Sequence, residues 1–293
     1  MAMEPSLDPE IAAWLAARGA ADDAVDLRAA RARVTAMGPQ WDAATALDPD
    51  LVGRSSDVVA GVPVITWEPR DRPASATVIA VHGGGFTLGD ARGAAVIAAP
   101  LAQRYGVRTI SVDYRLAPEA PYPAAVDDVR AVLHAATALE PVSVWGDSAG
   151  AAIAIAAVVA RPPAQRVHRL ALACPALDDA DCPDVWSPCL SRATRRSMWR
   201  YYLSGDAIDP AAAVPARMPD LSGLPATTVV AAEHDVLRAE AITFTDRLRA
   251  AGVDVDLHVV DGTVHGFTGL LHHTAIARTW NARVAAFLAG DLA

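Results

Sequence analysis

Gly146-Asp147-Ser148-Ala149-Gly150 is a G-x-S-x-G pentapeptide. It lies between the apolar run Val142–Trp145, which reads as a strand, and Ala149–Ala160, which reads as a helix. A strand–turn–helix of this kind lifts a serine hydroxyl out of a sheet edge. The turn is tight enough that bulky side chains two positions either side of Ser148 would collide, which accounts for the flanking glycines. Ser148 would stand at a helix N-terminus, where the peptide dipole favours developing negative charge. A hydroxyl so placed can attack a carbonyl carbon if donors stabilise the oxyanion and a base removes its proton.

His82-Gly83-Gly84-Gly85-Phe86, after an earlier apolar run, meets the first requirement. Three successive glycines remove every Cβ, so backbone N–H groups can approach a substrate oxygen closely. The expected oxyanion site is Gly83, Gly84, Gly85 and Ala149. The amides of Gly84, Gly85 and Ala149 would be its donors, with Gly83 shaping the turn. A phosphate cradle is disfavoured, because the run lacks the G-x-G-x-x-G spacing and the chain contains no lysine.

The base and the carboxylate that orients it should follow in the order Ser, acid, His. Of the histidines late in the chain, His258 falls inside a strand-like run and His272 and His273 lie within or beside the last helix. His234 adjoins an acid candidate. His265 occupies the loop after the final strand, in Val264-His265-Gly266-Phe267, and can swing to the sheet's C-terminal edge. Asp235 follows the apolar run Thr227–Ala232 by three residues. Glu233, Asp254, Asp256 and Asp261 are its rivals as the acid, with Asp254 and Asp256 on one strand face and Asp261 near His265 in sequence.

The elements that must hold these groups alternate. Val58-Val59 and Val62–Trp67 read as a strand pair turned at Ala60-Gly61. Short apolar runs without alternation follow at Thr77–Val81, Val107–Val112, Val142–Trp145, Leu170–Cys174, Thr227–Ala232 and Val253–Val260. Helical stretches at Ala94–Tyr105, Ala124–Ala138, Ala149–Ala160 and Ala239–Ala251 separate most of them. That pattern predicts an α/β protein with a mostly parallel sheet covered on both faces. Ahead of it, Asp8 can cap a helix with Pro9 at its first position and Gly19 at its end. A second helix is expected from Val25 to Met37, stopped by Gly38-Pro39. Between Pro175 and Leu224 no strand is legible, and that insertion, rich in Trp, Tyr and Pro, reads together with the N-terminal helices as a cover over the site. Trp14, Trp41, Trp186, Trp199, Tyr201 and Tyr202 could line its inner face or pack its own core.

Composition narrows the partners. The 293 residues carry 25 basic and 34 acidic side chains, a formal charge of −9, with 53% hydrophobic residues. This is ample material for a core and offers no basic cluster for nucleic acid. The acidic balance would repel a polyanion and suits a small neutral substrate. The N-terminus lacks a secretory pattern, and the apolar stretch at Ala149–Ala160 falls short of the roughly 20 residues of a membrane span. Three cysteines without metal-type spacing are expected as reduced thiols, so a cytoplasmic location is expected.

Taken together, His82–Phe86, Asp113-Tyr-Arg-Leu-Ala-Pro-Glu119, Gly146–Gly150, Asp235-Val-Leu237 and His265-Gly-Phe267 resemble the bacterial hormone-sensitive-lipase-type esterases (family IV) of the α/β-hydrolase fold. The resemblance spans essentially the whole chain. It implies a central, mostly parallel eight-stranded sheet flanked by helices, with a helical cap. Residues 1–50 would form the N-terminal part of that cap, and residues 51–293 the catalytic domain with a cap insertion at about 175–223. It further implies Ser148 as nucleophile, Asp235 as acid, His265 as base, hydrolysis of short- to medium-chain esters without a cofactor or metal, and a possible homodimer paired along the last strand. Ala151 stands where the family usually has a second glycine, and Val236 where proline is common. Arg115, pinned by carboxylates, would hold the oxyanion loop.

Overall fold

The computed structural model describes residues 6–18, 26–44, 48–137, 141–162, 165–206 and 208–290, with the backbone alone for 37–44. Among the described residues eight strands form one sheet: β1 (Val52–Val59), β2 (Val62–Pro69), β3 (Thr77–Val81), β4 (Arg108–Val112), β5 (Val142–Asp147), β6 (Val167–Ala173), β7 (Ala226–His234) and β8 (Val255–Val264). Their order across the sheet is β1-β2-β4-β3-β5-β6-β7-β8. β1 and β2 pair antiparallel, as do β2 and β4; every later pairing is parallel. Ala60 and Gly61, both at positive φ (52° and 84°), make the tight β1–β2 turn.

Among the described residues ten α-helices accompany the sheet: α1 (Pro9–Arg18), α2 (Leu27–Ala44), α3 (Ala95–Tyr105), α4 (Ala124–Thr137), α5 (Ala149–Val159), α6 (Arg192–Tyr202), α7 (Pro210–Ala213), α8 (Arg238–Ala250), α9 (Phe267–Leu270) and α10 (Ala275–Ala289). Alternation along β3 shows how the sheet divides the core. Ile79 and Val81 face one apolar cluster, with Val129 of α4, Ile153 of α5 and Phe244 of α8. Val78 and Ala80 face the other, with Ile11 of α1, Ile97 of α3 and Leu288 of α10. All five β3 side chains are buried, so the strand reads as an uninterrupted apolar run. α5 is buried on every side through Val158, which is why its sequence is apolar all round rather than striped.

Asp8 caps α1 as its sequence position predicts, its Oδ1 accepting from the amides of Glu10 (2.9 Å) and Ile11 (3.3 Å). Gly19, the expected stop, lies outside the described residues, as does Ala138, the expected end of the helical stretch from Ala124. The expected stop of the second helix is corrected: α2 runs through Gly38-Pro39 to Ala44. A proline inside a helix removes an amide donor and crowds the preceding turn, and its ring also strikes the Cβ and amide of the residue before it; Gly38 has no Cβ, which removes that last part of the obstacle. Between β6 and β7 no strand occurs among the described residues, and α6 and α7 occupy the interval. α6 is fastened to α8 by a buried ion pair, Arg195–Glu240 at 3.2 Å.

Candidate active site

β5 delivers Ser148 directly from its C-terminal end into α5. Ser148 has φ 52° and ψ −116°, a strained conformation for a residue with a side chain. The surroundings over-determine it. Its amide donates to the Ala173 carbonyl (2.8 Å) at the end of β6, and its carbonyl accepts from Ala151 (3.1 Å) and Ala176 (3.0 Å). The flanking glycines are required by close approach: a Cβ on Gly146 would lie 2.7 Å from the Ala151 Cα.

β7 ends at His234, so Asp235 follows its strand immediately rather than three residues later, and β8 continues to Val264, so His265 follows its strand too. The three groups meet at the sheet's C-terminal edge. Ser148 Oγ lies 3.1 Å from His265 Nε2, and His265 Nδ1 lies 2.7 Å from Asp235 Oδ2. The second carboxylate oxygen, Oδ1, accepts from the Leu237 amide (2.9 Å). With Nδ1–H donating to Asp235, Nε2 is left free to accept the Ser148 proton. The rival acids are elsewhere. Glu233 accepts from the Gly262 amide (2.7 Å), and Asp254, Asp256 and Asp261 are exposed.

Burial alone would push the His265 imidazole down, but the charge and hydrogen bond of Asp235 outweigh it and leave the ring above its ordinary value. A base must be neutral to accept a proton. Hydrolytic kcat/KM should therefore fall about tenfold per pH unit below an apparent pKa above about 6.5. A pH–rate profile from pH 5 to 9 checks this; a limb below that value would contradict the arrangement.

The glycine loop lies beside the elbow: a Cβ on Gly83 would meet the Asp147 carboxyl, and one on Gly150 the His82 carbonyl. Gly84 (φ 125°), Gly85 (φ 59°) and Phe86 (φ 65°) are all at positive φ. The Gly84 carbonyl accepts from Thr87 (3.2 Å) and Leu88 (2.9 Å), closing a turn that leaves the amides of Gly84 and Gly85 without a backbone acceptor among the described residues; the same holds for Ala149. Those three donors are available to an oxyanion. Phe86, which carries the cost of left-handed backbone with a full side chain, is held by stacking on Tyr202 (4.0 Å) and by the Ala117 amide on its carbonyl (2.9 Å).

The Asp113–Glu119 segment supports this loop differently from expectation. Arg115 is held by a carboxylate, that of Asp128 in α4, and by the Ala124 carbonyl, and makes no contact of its own with the glycine loop among the described residues. The loop is held instead by Ala117 and by the Tyr114 hydroxyl, which donates to the His82 carbonyl (2.7 Å). Arg31 of α2 adds a clamp that the sequence did not signal. It donates to the Thr87 (2.9 Å) and Ala117 (3.0 Å) carbonyls and pairs with Glu119 (2.7 Å).

Of the aromatic residues, Trp199 and Tyr202 are buried against Phe86. Trp186 is half exposed, edge-on to His234, and Trp14 and Tyr201 lie beside Arg18 and Arg200. The Trp41 side chain lies outside the described residues. Met198, unflagged by sequence, sits over Gly85, where an added Cβ would come within 2.2 Å of its sulfur. Cys174, Asp235 and His265 could in principle hold a cation, since one donor atom from each lies within 4.8 Å of the others. However, Asp235 and His265 already bond each other, and burial pushes the Cys174 thiol well up, so the donor set suits a proton-transfer pair better than a metal.

A family model described as the alpha/beta hydrolase fold matches residues 78–269. The chain belongs to that family. Within the alpha/beta hydrolases it is of the hormone-sensitive-lipase type. It is 33% identical over 269 residues to the carboxylesterase NlhH of Mycobacterium tuberculosis, covering 84% of this chain and 83% of that one. Among solved structures it is similar to a bacterial heroin esterase (31% identity, TM-score 0.88, 98% of each chain covered). It is also similar to an esterase from the bacterial hormone-sensitive lipase family (27% identity, TM-score 0.80, both chains fully covered). This alpha/beta hydrolase is an enzyme acting on esters, and among its described residues no helix is long and apolar enough to cross a membrane.

Proposed function

We propose that this enzyme hydrolyses short- to medium-chain carboxylic esters through an acyl-enzyme formed on Ser148. The observation that carries the reading is the continuous chain of contacts from Ser148 Oγ through His265 to Asp235. His265 Nε2 takes the Ser148 proton as Oγ bonds to the ester carbonyl carbon. The amides of Gly84, Gly85 and Ala149 hold the resulting oxyanion. Collapse expels the alcohol, which takes its proton from His265; water, deprotonated by the same ring, then attacks the acyl-enzyme and releases the acid and free Ser148. Asp235 keeps the proton on Nδ1 and favours the imidazolium. Gly83 belongs to the same loop without serving as a donor.

α1, α2 and the segment bearing α6 act as a helical cap on this reading, and Met198 and the buried Trp199 and Tyr202 shape the wall beside the oxyanion loop. The substrate is small and neutral, in keeping with the net charge of −9. The enzyme works in the cytoplasm, and two copies can pair along the edge strand β8.

Hydrolysis of p-nitrophenyl acetate, butyrate, octanoate and dodecanoate tests the reading, together with labelling by an alkyl phosphonate. The expected result is a rate that declines with the longer chains and one phosphonate per protein, on Ser148. No turnover of any ester by folded protein would direct attention to amides or lactones, and label elsewhere would displace Ser148 from its role.

A further inference from the structure

Asp147, immediately before the nucleophile, takes no part in the steps above. Its Oδ1 is shielded from solvent and has no hydrogen-bond partner among the described residues. Its Oδ2 lies behind the glycine loop, 2.6 Å from where a Cβ on Gly83 would be, with the carboxyl carbon at 3.3 Å and the Asp147 carbonyl oxygen at 3.2 Å from the same point. Gly83, unlike Gly84 and Gly85, is not at positive φ, so its turn would accept another residue. What excludes a side chain there is the Asp147 carboxyl. The same carboxyl lies within electrostatic reach of the catalytic pair and raises the proton affinity of His265.

We propose that Asp147 is a positioning residue: its carboxyl sets where the oxyanion loop sits at Gly83, and its negative charge helps His265 to hold the proton taken from Ser148. The inference rests on the hydrolase reading above. Burial pushes the Asp147 carboxyl up to about 6, with His265 opposing and Asp235 reinforcing that rise. The other titratable groups around it come from four elements. Asp235 stands at the end of β7 and Cys174 after β6. Tyr114 follows β4, and Glu240 of α8 acts on His265. Burial pushes both the Cys174 thiol and the Tyr114 phenol well up, so neither adds charge at neutral pH, while the carboxyls of Asp235, Asp147 and Glu240 all raise the proton affinity of His265.

Two substitutions separate charge from volume. Asp147→Asn keeps the shape and removes the charge; Asp147→Ala removes both. In Asp147→Asn the His265 ring, followed by the NMR shift of its C2 proton, should titrate lower by about one pH unit, and the acid limb of kcat/KM should move with it. kcat should fall about tenfold with KM little changed, because the charge acts on a proton transfer and not on substrate contact. Gly83→Ala alone should lower kcat/KM by a hundredfold or so, since a displaced oxyanion donor has that effect. In the Asp147→Ala background the same change meets only the 3.2 Å carbonyl contact and should lower it less than about tenfold further. An unmoved His265 titration in Asp147→Asn, or equal damage from Gly83→Ala in both backgrounds, overturns the proposal. The NMR titration needs no substrate, so it judges Asp147 even if the ester panel fails; failure of phosphonate to label Ser148 in wild type would sink the hydrolase reading instead.

Discussion

Replacing Ser148 by alanine should leave a folded protein whose esterase kcat is lower by on the order of 10⁶-fold. The substitution deletes one oxygen, and that oxygen makes a single side-chain bond, to His265. The strained backbone at Ser148 is held by amides and carbonyls of Ala173, Ala151 and Ala176, all of which survive. Stability should therefore change little while chemistry stops. His265→Ala should cost about as much, and the double variant no more than either alone, because the groups act as a unit. Measured kcat on p-nitrophenyl acetate beside thermal midpoints checks both statements. Residual activity within about a hundredfold of wild type, in excess of what the oxyanion donors alone supply, would place the nucleophile elsewhere.

Gly150→Ala should do the opposite, damaging the fold first. A Cβ there would lie 2.2 Å from the Val81 carbonyl oxygen and 2.4 Å from that of His82. Both atoms belong to the backbone at the end of β3, the strand between β4 and β5. Neither can rotate away, so α5 must lift off the sheet and lose contacts on a helix buried all round. The expected loss is about 4 kcal/mol or more, in the range reserved for disrupted cores, against total stabilities of about 5–15 kcal/mol. Gly223→Ala is the control: its Cβ would meet nothing within 4 Å, and the change should be nearly neutral. Thermal unfolding of the two variants beside wild type decides. A midpoint for Gly150→Ala within a few degrees of wild type would mean that the elbow yields more readily than its contacts imply.

Much of this site was legible because its residues are constrained locally. The spacing of Gly146 and Gly150 follows from a turn only a few residues long, and His265 and Asp235 follow strands whose apolar runs are unmistakable. The sheet was legible for the same reason: strands buried on both faces cannot hide in a polar pattern. What escaped depends on pairs far apart in the chain. Arg31 meets Thr87 and Ala117 from 56 and 86 residues away in the chain, and nothing in either neighbourhood announces the partner. Asp147 sits in plain view inside the pentapeptide, yet its meaning lies in Gly83, which a run of three glycines explains too easily as mere flexibility. The helix through Gly38-Pro39 escaped because a local breaker was weighed without the missing Cβ ahead of it. Trp199 and Tyr202 were visible as aromatics, but whether they line a cavity or brace Phe86 is settled only by packing.

The order of the three site groups along the chain has a consequence for the protein as it is made. Ser148 and His265 are separated by 117 residues, and His265 arrives with the last strand to be synthesised. At translation speeds of about 5–20 residues per second, the serine has left the ribosomal peptidyl centre roughly 6–23 s before its base exists. Throughout that interval the hydroxyl has no proton acceptor and is no more reactive than any other serine. On the proposed mechanism a nascent or prematurely terminated chain that lacks His265 is inert toward esters, and competence is reached only once β8 has joined the sheet.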